Sequence, residues 1–144
     1  MGTLNIFVPN LLNVCIDEYT EEELKGRMYH CYNEKEIVFS NVVDIIKEAE
    51  RVFDAISFPQ ASTKARTFSE KAIATQPSLR KVKDQREVAT YKGEKGTFLV
   101  CVRFRQNATW QGEFRHEETG KVKSFVDVVE LMKQMEQMIN RKIV

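Results

Sequence analysis

Apolar residues recur at every second position in two stretches: Leu12, Val14 and Ile16, then Phe98, Val100, Val102 and Phe104. A period of two is that of a half-buried β-strand, one face toward a core and the other toward solvent. A second strand follows each, near residues 24–32 and 109–116. Glu118-Thr119-Gly120-Lys121 then reads as a turn into a short third strand ending at Phe125, and Phe39 holds the matching place earlier in the chain. Beyond both points the period changes to that of a helix. Val42, Val43, Ile46, Ala49, Phe53 and Ile56 form one amphipathic face, and Val128, Val129, Met132, Met135 and Ile139 form another. Asn41 and Asp127 stand where N-caps belong, each with an acid three residues on, Asp44 and Glu130.

The parallel between these stretches is a register. Shifting the chain by 86 residues without a gap lays 14–56 on 100–142 with 10 identities in 43 positions, among them Val14/Val100, Cys15/Cys101, Gly26/Gly112, His30/His116 and Phe39/Phe125. Conservative pairs such as Leu24/Trp110 and Met28/Phe114 support it. The expected fold is therefore α+β: tandem duplicated β-β-(β)-α units forming antiparallel sheet, with two helices packed on one face and pseudo-two-fold symmetry. A unit of some 40 residues is too small for a stable core of its own, so the copies should pack together, edge to edge or face to face. One domain spans 1–144, with repeat one at 12–56, a basic crossover at 57–96 and repeat two at 97–142. Pro59 ends the first helix. The Lys/Arg-rich residues 75–96 suggest a mobile or irregular crossover, and residues 64–74 a short helix.

Composition narrows the class. In 144 residues, 42% are hydrophobic and 22 Lys+Arg face 21 Asp+Glu, which excludes wholesale disorder and a uniformly basic nucleic-acid coat. The balance hides regions: residues 1–56 hold five basic and eleven acidic side chains, and 57–96 nine and four. With no apolar run near membrane-spanning length and no secretory leader pattern, the chain reads as soluble and cytoplasmic. Cys15, Cys31 and Cys101 have neither the number of a disulfide framework nor the spacing of a zinc site.

No phosphate loop, metalloprotease helix or nucleophile elbow is present, so no catalytic residue, metal or cofactor is expected. His30 and His116 occupy equivalent positions. They fit core-margin histidines, with an acid/base or metal pair across the pseudo-axis as the alternative. Cys15 and Cys101, also equivalent, fit small half-buried residues better than a redox pair. Strand parity points Lys25, Arg27 and Tyr29 away from the helices together with Arg103, Arg105, Gln111 and Arg115. An open, arginine-rich face of this kind suits a macromolecular partner. The run 104–112 joins two strands and adds Gln106 and Asn107 beside Trp110, which replaces Leu24 as a core residue. Arg80, Lys81, Lys83 and Arg86 offer phosphate contacts. Four such contacts would give a slope of log affinity against log salt of about −3.6.

The run FRQNATWQG at Phe104–Gly112, followed by SF-x4-EL-x3-M at Ser124–Met135, resembles a group of small proteins from Clostridia and related Firmicutes to which no activity is attached. The resemblance implies a bacterial cytoplasmic origin and transfers no chemistry. The expected function is that of a non-enzymatic binding or regulatory protein with a protein partner, acting as a monomer or homodimer. One form of it is an inhibitor of a nucleic-acid-processing enzyme such as a CRISPR nuclease. The alternative is an RNA or single-stranded DNA binder using the arginine-rich face and the basic crossover.

Overall fold

A computed structural model of the chain describes residues 3–21, 23–59, 79–106 and 109–141. The alternating stretches form β1 (Leu12–Thr20) and β4 (Gly96–Phe104), followed by β2 (Glu23–Tyr29) and β3 (Ile37–Phe39), and by β5 (Gln111–His116) and β6 (Lys121–Phe125). These six strands form one antiparallel sheet in the order β3-β2-β1-β4-β5-β6. β1 and β4 therefore meet at the centre, with Leu12 opposite Val100, Asn13 opposite Leu99 and Val14 opposite Phe98. Of the two arrangements left open by the sequence, this is the edge-to-edge one.

The helical patterns become α1 (Val42–Ile56) and α3 (Val128–Arg141), and a short α2 (Gln85–Val88) lies in the crossover. Both long helices start as their sequences specify. Asn41 Oδ1 accepts from Asp44 N at 3.0 Å and Asp127 Oδ1 from Glu130 N at 2.7 Å. The acids reach back in turn, Asp44 to Ser40 N and Glu130 to Val126 N, so further helix-end amides are satisfied in both. α1 and α3 pack on one sheet face in a shared core with Leu12, Val14, Phe39, Phe98, Phe114 and Phe125; Val43 and Val129, expected in the apolar stripes, are exposed, and Ile45, Val52, Leu131 and Met138 are buried in the core. Phe53 of α1 meets Trp110 edge-on at a ring distance of 5.6 Å, so helix and motif share one aromatic contact.

The opposite face, here the far face, departs from expectation. Its residues Cys15, Leu99 and Cys101 are buried with Leu4, Leu11 and Val88, because an N-terminal arm (residues 3–11) and the described part of the crossover, a strap at residues 79–95 that packs there through Val88, Ala89 and Tyr91, cover it. The centre of the sheet is thus covered on both sides and not half-open. Outside α2 the strap has no helix or strand, yet it is packed: Asp84 caps α2, and Val82 N donates to Cys31 O at 2.7 Å. Asn13, fully buried in the central strand, donates its amide to the buried Val88 O at 2.8 Å and the half-buried Tyr91 O at 3.0 Å, which supplies partners to both carbonyls. The helix expected at 64–74 lies outside the described residues.

Each central strand carries a bulge, between Ile16 and Glu18 and between Val102 and Phe104. Opposite them stand Gly26 and Gly112, where a Cβ would lie 2.0 Å from Cys15 O and 2.1 Å from Cys101 O. Only glycine admits such an approach of one backbone to another. A bulge adds one residue to its strand and so reverses the parity of the residues beyond it. Phe104, inward by alternation, is consequently 57% exposed, while Arg105 turns in under α1.

Candidate interaction surface

The reversal at the bulge decides the role of the run 104–112. Arg105, expected on the far face as a partner contact, is 6% exposed and inserted beneath the C-terminal half of α1. Its Nη1 reaches Glu50 at 2.6 Å and Asp54 at 2.9 Å, and its Nε donates to Pro59 O at 2.7 Å. Trp110 is core, as expected, and its indole N–H donates to the other oxygen of Glu50 at 2.6 Å. One carboxylate therefore ties two residues of the run to the first helix. Gln111 supplies a substitute for strand pairing: its Oε1 accepts from Gln106 N at 3.1 Å, and its Nε2 donates to Gln106 O and Val126 O, each at 3.2 Å. Thr109 Oγ1 accepts from Val128 N at the start of α3. Arg105 and Gln111 thus spend their side chains on holding strand, hairpin and helix together, whereas Gln106 contributes only its main chain and is exposed. Asn107 lies outside the described residues.

The remaining arginines of the far face each stand beside an acid. Arg27 pairs with Asp17 at 2.8 Å, Arg103 with Glu113 at 2.9 Å, and Arg115 with Glu117 by its Nε. Hydrogen bonding to Arg27 holds the Asp17 carboxyl below its ordinary range against the opposing effect of burial. Arg27 also donates to Tyr29 OH and Lys92 O, so it binds the strap. Tyr29 is 5% exposed and stacked on Tyr91 with ring centroids 3.7 Å apart, so this expected contact is also internal.

The basic positions of the crossover divide. Arg80 is exposed, whereas Lys81 donates to Gln85 and Arg86 lies over the Phe7 ring at 5.7 Å. Lys83 is 7% exposed, with its ammonium 5.3 Å from the Tyr29 ring centre and 4.9 Å from that of Tyr91. An atom that far from both centres of so close a parallel stack lies beside the rings and not over a face. Its attraction is to Tyr91 OH, at 3.3 Å, more than to the π-clouds. Burial removes Lys83 from phosphate contact.

His30 and His116 do not meet. β1 and β4 run between their strands, and three strand spacings separate them by about 14 Å. His30 accepts at Nδ1 from Tyr32 N, which leaves its proton on Nε2, donated to Glu48 at 2.8 Å. Burial pushes its pKa down despite the Glu48 hydrogen bond, so the ring is neutral at pH 7. His116 Nδ1 lies 2.8 Å from Thr119 Oγ1. Both sit at the core margin with different partners. Burial likewise pushes the Cys15 thiol up to about 12 and that of Cys101 to about 11, far from the thiolate that redox or nucleophilic work requires. Among the described residues no three His, Cys, Asp or Glu groups converge on a metal position.

Several apolar side chains stay exposed among the described residues, including Phe7, Val38, Val43 and Val129, and two more stand together in the second half. Phe104 and Val126 are 57% and 65% exposed, and Gln111 lies between them, opposite Phe104 in the ladder and bonded to Val126 O. Arg103 and Glu113 adjoin them on the far face. The positions 86 residues earlier are Glu18 and Ser40. Alternation alone assigns Phe104 to the core and so misses this surface. Gly112 opposite Val102, together with the acid at position 18, is the signal that parity changes there.

Among the described residues no helix is long and apolar enough to cross a membrane. Comparison with protein-family models, with curated proteins and with solved structures returned no match.

Proposed function

We propose that the chain is a duplicated, non-enzymatic binding or regulatory protein that docks a protein partner on the far face of its second half. Duplication is supported by the central ladder: offset by 86 residues, the pair Leu12–Val100 exchanges with Val14–Phe98, and Asn13–Leu99 maps onto itself. The bulges, their facing glycines and both helix caps recur at the same offset. The observation that carries the binding reading is the exposure of Phe104 and Val126 where the first half has Glu18 and Ser40. An apolar pair on a water-facing strand end is stabilised by burial against something else, at about 25 cal/mol per Å².

The double variant Phe104→Glu, Val126→Ser restores the first half's residues and leaves the core untouched. Affinity capture by the wild type and by this variant from a Firmicute lysate, with quantitative mass spectrometry, is the test. A protein retained at least about tenfold less by the variant is the expected result. Equal retention of every captured protein would reject this surface. A captured nuclease would then be assayed for inhibition. Nucleic-acid binding is the weaker reading, since Arg27, Arg103 and Arg115 are each neutralised by an acid and Lys83 is buried.

A further inference from the structure

The first half shows how its far face is covered. Strap residues 91–94 cross it, and the Asp17–Arg27 pair holds them by the main-chain groups of residues 92 and 94. Asp17 Oδ1 accepts from Glu94 N at 3.0 Å, and Arg27 Nη2 donates to Lys92 O at 2.7 Å. The pair is saturated: Asp17 uses both oxygens on Arg27, and Arg27 Nη1 is bound to Tyr29 OH.

The same two places in the second half hold Arg103 and Glu113, an ion pair with its signs exchanged. This pair is not saturated. Arg103 Nε and Nη2 both converge on Glu113 Oε1, at 3.1 and 2.9 Å, which leaves Arg103 Nη1 and Glu113 Oε2 without a partner among the described residues. It is also more open, at 37% and 39% side-chain exposure against 29% and 26% for Arg27 and Asp17. Phe104 and Val126 adjoin it.

We infer that this is a peptide-docking site, taking an extended segment of the partner that presents a carbonyl to Arg103, an amide N–H to Glu113 and an apolar side chain to Phe104 and Val126. The inference rests on the binding reading above and names the form of the partner. Because donor and acceptor are exchanged relative to the first half, the segment offers a carbonyl where the strap offers an N–H. Main-chain recognition of this kind fixes an extended conformation, and the apolar contact contributes the desolvation that makes such hydrogen bonds count.

The probe is a displayed library of linear peptides about ten residues long, long enough to cross several strands. It is selected on the full chain and read as the affinity of recovered peptides for wild type, Phe104→Glu, and the double variant Arg103→Met, Glu113→Met, which removes both charges without orphaning either. Expected are peptides whose affinity falls about tenfold or more in the double variant, whose binding Phe104→Glu abolishes, and which lose binding when one backbone amide is N-methylated. Peptides that ignore both the double variant and N-methylation while still requiring Phe104 would overturn the main-chain clamp and leave the apolar surface standing. Peptides indifferent to Phe104→Glu as well would remove both. Recovery of no peptide, alongside a folded protein captured through Phe104, would overturn the extended-segment form alone.

Discussion

The glycines opposite the bulges give the sharpest test of how this sheet is built. In Gly112→Ala the added methyl lies 2.1 Å from Cys101 O, more than 1 Å inside ordinary contact, and both atoms belong to backbone held in a ladder. No side chain can swing away, so β5 must part from β4 beside the bulge. About two ladder hydrogen bonds are weakened, at roughly 1 kcal/mol each. Trp110 and Phe114, both buried on the helix face, shift with the strand, and disturbed core packing adds about 1–3 kcal/mol. Against this, alanine stiffens the unfolded chain by about 0.4–1 kcal/mol. The net expectation is a loss of about 3 kcal/mol, read as a fall in urea midpoint at constant slope, with a decrease in Tm of about 6–12 °C. Gly26→Ala should cost the same, since its Cβ meets Cys15 O at 2.0 Å. Gly120→Ala is the control: φ is +76° with open space around it, so only the left-handed penalty of about 1 kcal/mol applies. A loss below about 1 kcal/mol for Gly112→Ala would refute the claim that close strand approach fixes the bulge.

Three further outcomes are expected from the internal networks. Arg105→Met should cost about 2 kcal/mol, below the 3–5 of a wholly buried pair because Glu50 and Asp54 stay hydrated, and a double-mutant cycle with Glu50→Gln by chemical denaturation should show coupling near 1 kcal/mol. Asn13→Ala leaves Val88 O buried and Tyr91 O half-buried without their donor, so a loss of about 2 kcal/mol and faster hydrogen exchange in the strap are expected; unchanged exchange there would refute its clamping role. His30 has a folded pKa below its unfolded 6.5, so the unfolded chain takes up the proton first and stability falls as pH drops below about 6.5. Burial pushes the Glu48 carboxyl up, but hydrogen bonds from Arg51 and His30 outweigh it and hold it low, so its contribution is lost in the same direction, below its unfolded 4.5. Urea titrations at stepped pH should show a shallower decline between pH 6.5 and 5 in His30→Gln than in the wild type.

Much of the fold is legible in the sequence because its signals are local. Period-two and helical stretches mark the strands and both long helices, and Asn41 and Asp127 mark the helix starts to the residue. Three features are not legible. The bulges leave no trace in the hydrophobic alternation and show only through Gly26 and Gly112, whose role depends on knowing the strand register, so parity alone puts Phe104 and Arg105 on the wrong faces. The cover of the far face depends on contacts such as Asn13 with Tyr91, 78 residues apart, which a polar, basic segment does not advertise. The acids that neutralise Arg105 sit on a helix 51 and 55 residues away, so a side chain typical of interfaces looks free in the sequence.

The run 104–112 shows why residue type alone misleads. Arg, Gln and Trp suit recognition because each offers directed donors on a rigid or planar group, and the same properties suit them to joining parts of one chain. Here Arg105 makes three such bonds, and the Gln111 amide bonds Gln106 and Val126. A specific sequence in this place is therefore required by the fold before any partner is considered. If the halves are copies, what both keep, bulge, glycine and cap, belongs to the architecture, and function is to be sought where equivalent positions differ and the fold does not consume the difference. Tyr19 and Leu24 against Arg105 and Trp110 differ, yet Glu50 takes up the new polar groups internally. Glu18 and Ser40 against Phe104 and Val126 differ, and nothing described takes up the apolar pair. The opposite signs of Asp17–Arg27 and Arg103–Glu113 fall beside it. That coincidence of unburied apolar area with an unsaturated ion pair is the reason to seek the partner on the second half, over the end of β4, β5 and β6.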